Sequence, residues 1–221
     1  MSGAAERYRD ILNEIEAARS GCETAAANVS LITVSKTFGP EDIVPVINAG
    51  CRMFGENRVQ EAQTKWPALR EQAADLELHL IGPLQSNKSA DAVALFDVIQ
   101  TIDREKIALA IGREMEKQGR KLGLFVQVNT GSVPQIAGIL PERCVEFVDW
   151  CRGEAGLAIA GLMAIPPFDE NPGPYFALLR QLAEQCGVAQ LSMGMSGDYL
   201  TAIEFGATHV RVGSAIFGSR N

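Results

Sequence analysis

Apolar residues along this chain recur in two alternating rhythms. Near the start, Tyr8, Ile11, Leu12, Ile15 and Ala18 fall at three- and four-residue intervals with charges between them, which predicts an amphipathic helix over residues 5–19. From Ser30 onward, short runs of apolar and β-branched residues predict strands at 30–35, 51–54, 76–81, 98–102, 123–129, 157–164, 190–193 and 208–212. Helical stretches fill the intervals, near 41–49, 57–73, 87–95, 104–119, 141–152, 174–185 and 197–205. Strands that alternate with helices pair in parallel, because each crossover must return the chain to the edge from which it started. Eight such units after an extra N-terminal helix predict an α/β chain folded as a single (β/α)8 barrel, one domain over residues 1–221. Pattern alone leaves an open, doubly wound sheet as the alternative. No low-complexity stretch or linker divides the chain, and the Pro/Gly-rich segment 165–174 falls where a loop leaving strand six would lie.

Composition narrows the classes of function. The 27 acidic residues outnumber the 20 basic ones for a formal charge of −7, which argues against a nucleic-acid-binding face while leaving room for a local basic pocket. Cys22, Cys51, Cys144, Cys151 and Cys186 are odd in number and scattered, and read as reduced thiols of a cytosolic protein. Two histidines without ligand spacing make a dedicated metal site unexpected. Charges begin at Glu6 with no long apolar stretch beside them, so no signal peptide is expected. The longest nearly apolar run, Leu157 to Phe168, falls short of the ~20 residues that span a bilayer. A cytoplasmic location follows as the expectation.

Candidate chemistry begins with Lys36. Leu31, Ile32, Thr33 and Val34 are apolar or β-branched, and Gly39-Pro40 breaks the strand just beyond the lysine. A lysine closing such a strand has little water around it, which disfavours its charged form and prepares a nucleophilic amine for a Schiff base. A strand-end lysine that snorkels to water is the other reading.

Barrels collect function at the C-terminal ends of their strands and bind phosphate after strands seven and eight. Strand seven runs here into Ser192-Met-Gly-Met-Ser196-Gly197, and strand eight into Arg211-Val-Gly213-Ser214. Gly194, Ser196 and Gly197 can form one wall of a phosphate cup, and Gly213 with Ser214 the other, through backbone N–H groups just before a helix. Either segment alone is equally an ordinary turn with a serine N-cap; the two together favour a phosphate-bearing ligand. A Gly-x-Gly-x-x-Gly dinucleotide fingerprint is missing. Arg211, two residues before Gly213, shares its face of the strand and points into the ligand cavity, or else forms a salt bridge with Glu204 or Asp198. His79 and His209 read as structural.

These segments resemble a known family. Val-Ser-Lys36-Thr, Phe54-Gly-Glu-Asn-Arg-Val-Gln-Glu61, His79-Leu-Ile-Gly-Pro-Leu-Gln-Ser-Asn-Lys88, Gly161-Leu-Met-Ala-Ile-Pro166, Leu191-Ser-Met-Gly-Met-Ser196 and Val210-Arg-Val-Gly-Ser-Ala-Ile-Phe-Gly218 look like the pyridoxal-phosphate homeostasis proteins. The fold of that family is similar to the N-terminal barrel of alanine racemase, and the likeness runs from about residue 8 to 220. The resemblance implies a TIM barrel that carries pyridoxal 5′-phosphate (PLP) as an internal aldimine on Lys36. It implies a cofactor-binding set of Lys36, Asn57, Met193, Ser196, Arg211, Gly213 and Ser214, with no catalytic residue and no metal ligand. Ser196, Gly213 and Ser214 hold the phosphate, Arg211 faces the pyridine nitrogen, and Asn57 lines the pocket. The implied role is cofactor supply, buffering and amino-acid balance without enzymatic turnover. The implied partners are PLP and PLP-requiring apoenzymes, neither nucleic acid nor membrane, and a monomer is the expected state.

Two alternatives stand beside this. A PLP-dependent racemase needs an acid/base on each face of the substrate α-carbon. In alanine racemase the second, a tyrosine, comes from a β-rich domain of the partner subunit. The residues here leave no length for that domain, and Tyr8, Tyr175 and Tyr199 all fall in helical segments. A barrel that forms a Schiff base with a sugar phosphate, as aldolases do, would be colourless. The chain also departs from the family pattern after Asn129-Thr130, where members commonly carry acidic residues and then a cation. Gly131 to Gly138 holds Ile136 at the cation's place, which implies weaker transfer of PLP if that cation assists it.

Overall fold

The eight apolar runs form eight parallel strands that pair in chain order and close, β1 against β8, into a barrel. A computed structural model describes residues 3–218, so the extreme ends of the expected 1–221 unit lie outside the described residues. The strands are β1 (Ser30–Val34), β2 (Met53–Glu56), β3 (Glu77–Leu80), β4 (Val98–Ile102), β5 (Gly123–Val128), β6 (Ile159–Ala164), β7 (Gln190–Met195) and β8 (His209–Val212). Helix α1 (Ala4–Ser20) precedes them. The others are α2 (Pro40–Asn48), α3 (Val59–Gln72), α4 (Ser89–Leu95), α5 (Glu105–Gln118), α6 (Cys144–Gly153), α7 (Gly173–Cys186), α8 (Tyr199–Glu204) and α9 (Ser214–Phe217). Closure excludes the open sheet. It depends on register between Ser30–Thr33 and His209–Val212, almost the whole chain apart, which no local pattern encodes.

Most of the core lies between sheet and helices, where Phe54, Trp66, Phe96 and Phe176 are fully buried. Helix α1 adds Tyr8, Ile11 and Ile15 to it while Leu12, on the same predicted face, is exposed. The Arg7 guanidinium donates to the Ile216 carbonyl at 2.6 Å, which ties α1 to α9. Inside the barrel sits a second, small cluster of Val98, Phe125 and Met163. Polar side chains share this interior. Ser192 Oγ on β7 donates to Gln100 Oε1 on β4 at 2.6 Å, a contact that only the lumen allows because these strands are not neighbours. Gln100 Nε2 donates in turn to His79 Nδ1 at 2.9 Å, and His79 Nε2 meets Glu77 at 2.7 Å. Every member of this chain has a partner, as buried polar groups require.

His209 closes the interior edge-on to Phe125, with ring centroids 5.6 Å apart. Burial, helped by the nearby His79 and Arg211, lowers its imidazole to about 4. The unfolded chain protonates this group near pH 6.5, so between pH 6.5 and 4 the unfolded state binds the extra proton. Stability is therefore expected to fall as pH falls through that window, by up to about 1.4 kcal/mol per pH unit from this group. Denaturant unfolding at pH 7, 5.5 and 4.5 checks it. His209→Gln should flatten the slope, and an equal slope in parent and variant would remove His209 as its source.

Candidate functional site

At the C-terminal ends of the strands a cavity of about 950 Å³ opens, and it draws its walls from loops far apart in sequence. Lys36, Asn57, Ser196, Arg211, Gly213 and Ser214 all line it. Strand β1 stops at Val34, Ser35 is buried behind it, and Lys36 stands on the turn that follows. The lysine is half-buried, not shut in at the end of an apolar strand as the local sequence predicts. Thr37 beside it has φ of 70°, an uncommon conformation for a β-branched residue. Beneath this turn lie two buried charges that the sequence reading passed over, Glu56 and Lys65.

Asn57 enters the cavity because β2 ends at Glu56 and its backbone then packs against Gly82. A Cβ on Gly82 would lie 2.2 Å from the Asn57 carbonyl oxygen, so this approach admits only glycine. Arg211 rises from the barrel interior beneath the cavity. Nη1 donates to Ser192 Oγ at 2.8 Å and Nη2 to the Ala164 carbonyl at 2.9 Å. Among the described residues it forms no salt bridge with Glu204 or Asp198, the alternative its sequence position left open. Burial lowers its guanidinium to about 10, with Asp198 pulling the other way, so Arg211 stays cationic at neutral pH.

Loops after β7 and β8 face each other across one end of the cavity. The Gly213 N–H donates to Ser196 Oγ at 3.3 Å, which joins the two segments. Among the described residues, the N–H groups of Ser196, Gly197 and Ser214 meet no acceptor. Backbone donors left open on a concave wall are what an anion requires. A side chain at Gly213 would crowd β1, since its Cβ would lie 3.0 Å from the Val34 carbonyl oxygen and 3.1 Å from Val34 Cβ. That close passage of β1 against β8 brings the Lys36 turn beside the cup.

Met193 is the one member of the expected set that the structure keeps out of the cavity. It is fully buried in the layer between sheet and helices. Strict alternation would put residues 193 and 195 on one face. The register between β7 and β8 shifts between Ser192 and Met195, however, with Gly194 at φ of 89°. This bulge turns Met195 into the cavity wall and leaves Met193 outside. Ile136 does not line the cavity either; its carbonyl accepts from Asn129 Nδ2 at 2.9 Å and helps close the 129–139 loop.

The family model described as "Alanine racemase, N-terminal domain" matches residues 12–221. The pyridoxal phosphate homeostasis protein of Vibrio cholerae is 40% identical over 231 residues, covering 100% of this chain and 98% of the relative. PipY of Synechococcus elongatus, solved with PLP bound, is 34% identical with a TM-score of 0.84, covering 97% of this chain and 100% of that one. The alanine racemase of Clostridium difficile is 15% identical with a TM-score of 0.73; 97% of this chain matches 57% of that one, a likeness of fold alone.

Proposed function

This chain belongs to the pyridoxal phosphate homeostasis protein family, and we propose that it binds PLP through Lys36 and holds the cofactor for supply to other proteins, without turning over a substrate. The observation that carries the reading is one cavity lined by a lysine, an arginine and a set of open backbone donors. When bound, PLP supplies an aldehyde that condenses with a primary amine and releases one water.

Each residue has a part that follows from its surroundings. Lys36 Nζ is the point of attachment. The N–H groups of Ser196, Gly197 and Ser214, with both serine hydroxyls, take the phosphate. Ser196 Oγ already accepts from Gly213, so its own proton is free to be donated outward. Arg211 serves the pyridine nitrogen. An arginine has only donors, and this one keeps its protons at neutral pH, so it gives the ring nitrogen a hydrogen bond and no proton. That weakens the cofactor as an electron sink, which suits a holder better than a catalyst.

The tyrosines support the same conclusion. Tyr8 is buried in α1, the Tyr175 hydroxyl donates to Glu170, and the Tyr199 hydroxyl donates to Glu14. None of the three lines the cavity, so none is in position to serve the second face of an amino-acid substrate. PLP-requiring apoenzymes are the proposed recipients, and a monomer the proposed state. No helix of the described residues is long and apolar enough to cross a membrane.

Mixing the purified protein with PLP tests the reading. The expected product is yellow, its visible band shifts on borohydride reduction, and the reduced label maps to the Lys36 peptide. A colourless protein that takes up no PLP overturns the proposal. Sustained racemisation of alanine or serine overturns its non-catalytic half.

A further inference from the structure

A buried ion cluster that the proposed function does not use holds the Lys36 turn from below. Glu56 is fully buried and Lys65 is 6% exposed. The Lys65 ammonium lies 2.9 Å from Glu56 Oε1. It also donates to the Ser35 carbonyl at 2.9 Å and to the Phe38 carbonyl at 3.1 Å, and these two carbonyls bracket Lys36 in the chain. Glu61, one helical turn before Lys65 on α3, accepts from Lys65 at 3.2 Å and from the Thr37 N–H at 2.5 Å. The Ser35 hydroxyl donates to Glu56 Oε1 at 2.6 Å. Ser35, Thr37 and Phe38 are therefore each tied to this ammonium or to a carboxylate paired with it.

A buried ion pair is a poor device for stability, because desolvation consumes most of the Coulomb attraction and apolar residues of similar volume often do as well. Its advantage here is direction. An ammonium donates along three bonds, and two of these fix carbonyls at either end of a short turn. The restraint also holds Thr37 at φ of 70°, a conformation it would not keep on its own. On the outer side Phe38 stacks on Phe217, with centroids 4.8 Å apart, which joins the same turn to α9 beside the phosphate cup. The turn is thus held between α3 and α9.

We infer that Lys65 is a positioning residue for Lys36: its ammonium, anchored by Glu56 and Glu61, fixes the 35–38 turn so that the Lys36 amine stands at a set distance from the phosphate cup. The inference rests on PLP attachment at Lys36. A reacting amine displaced by an ångström loses rate by factors of ten to a hundred, so the restraint acts on the rate of attachment more than on folding.

Lys65→Met tests this, but it strands the Glu56 carboxylate without a counter-charge and can fail to fold. The double variant Glu56→Gln/Lys65→Met removes both charges and keeps the volume. Two readouts are compared with the parent: hydrogen exchange of residues 35–38 without PLP, and the rate at which a borohydride-stable PLP label appears on Lys36. Faster exchange confined to the turn, with labelling slowed by about tenfold or more, is the expected result. Parent-like exchange overturns the inference, and so does faster exchange with parent-like labelling, which would make the cluster merely structural. A parent protein that is itself not labelled at Lys36 removes the PLP reading and this inference together, an outcome distinct from a difference lost between parent and variant.

Discussion

Lys36→Ala is expected to abolish covalent retention of PLP, lowering the borohydride-stable label by at least about 100-fold. The size of the effect follows from geometry. An amine held beside the phosphate cup reacts at a high effective concentration, and losing it leaves only intermolecular encounters with other lysines. The second lysine close to this turn, Lys65, is buried and bound to Glu56, Glu61 and two carbonyls, so it cannot substitute. The cup and Arg211 remain in the variant, which should therefore still bind PLP weakly and release it on dialysis. Lys36 is half-buried on a turn, and its loss should cost the fold about 1 kcal/mol or less. Peptide mapping after reduction, with thermal unfolding in parallel, checks both halves. A variant that keeps its label under dialysis would show that attachment lies elsewhere.

Gly194→Val is expected to have the largest effect on the fold, on the order of 3 kcal/mol. Two costs add. Gly194 sits at φ of 89°, where a β-branched residue is strained by about 1–2 kcal/mol. Its added Cβ would also lie 2.6 Å from Ala202 Cβ and 2.9 Å from Tyr199 Cα, both on α8, and overpacking of this kind costs about 1–3 kcal/mol. At about 2–4 °C per kcal/mol for a chain of this size, the melting temperature should drop by roughly 6–12 °C. PLP binding should weaken as well, because relief of the clash moves the loop that presents Ser196 and Gly197. Calorimetry and a PLP titration measure the two effects. Unchanged unfolding would mean that the bulge between Ser192 and Met195 is not held by this glycine.

The elements of the barrel were legible because their signal is local. Strand and helix positions follow from periods of two and 3.6, and apart from the four-residue α9, too short to show a period, the departures are boundaries of a few residues. β2 runs over Met53–Glu56 and not 51–54, since Glu56, polar in sequence, is accepted into the buried strand end by Ser35, Lys65 and Trp66. The cavity-lining residues at strand ends were legible for a related reason. The (β/α)8 architecture assigns function to one end of the sheet, so a lysine after strand one and small residues after strands seven and eight become informative together. Met193 shows where this logic stops. Period two is reliable only while the register holds, and the bulge at Gly194 breaks it.

What the sequence determined by itself, then, is the succession of eight β/α units, the family motifs, and the strand-end residues that line the cavity: Lys36, Arg211, Ser196, Gly213 and Ser214. These are properties of neighbouring residues, and a linear chain displays them directly. Only the tertiary structure decided that the sheet closes and that Gly213 passes against Val34 to bring the Lys36 turn beside the cup. It also decided that Glu56 and Lys65 are inside. Charged residues on a short strand and a helix read as solvent-facing, because their burial costs more than either can recover alone. It becomes tolerable only when the fold brings the two charges and the polar atoms of residues 35–38 together, and separation along the chain conceals that pairing.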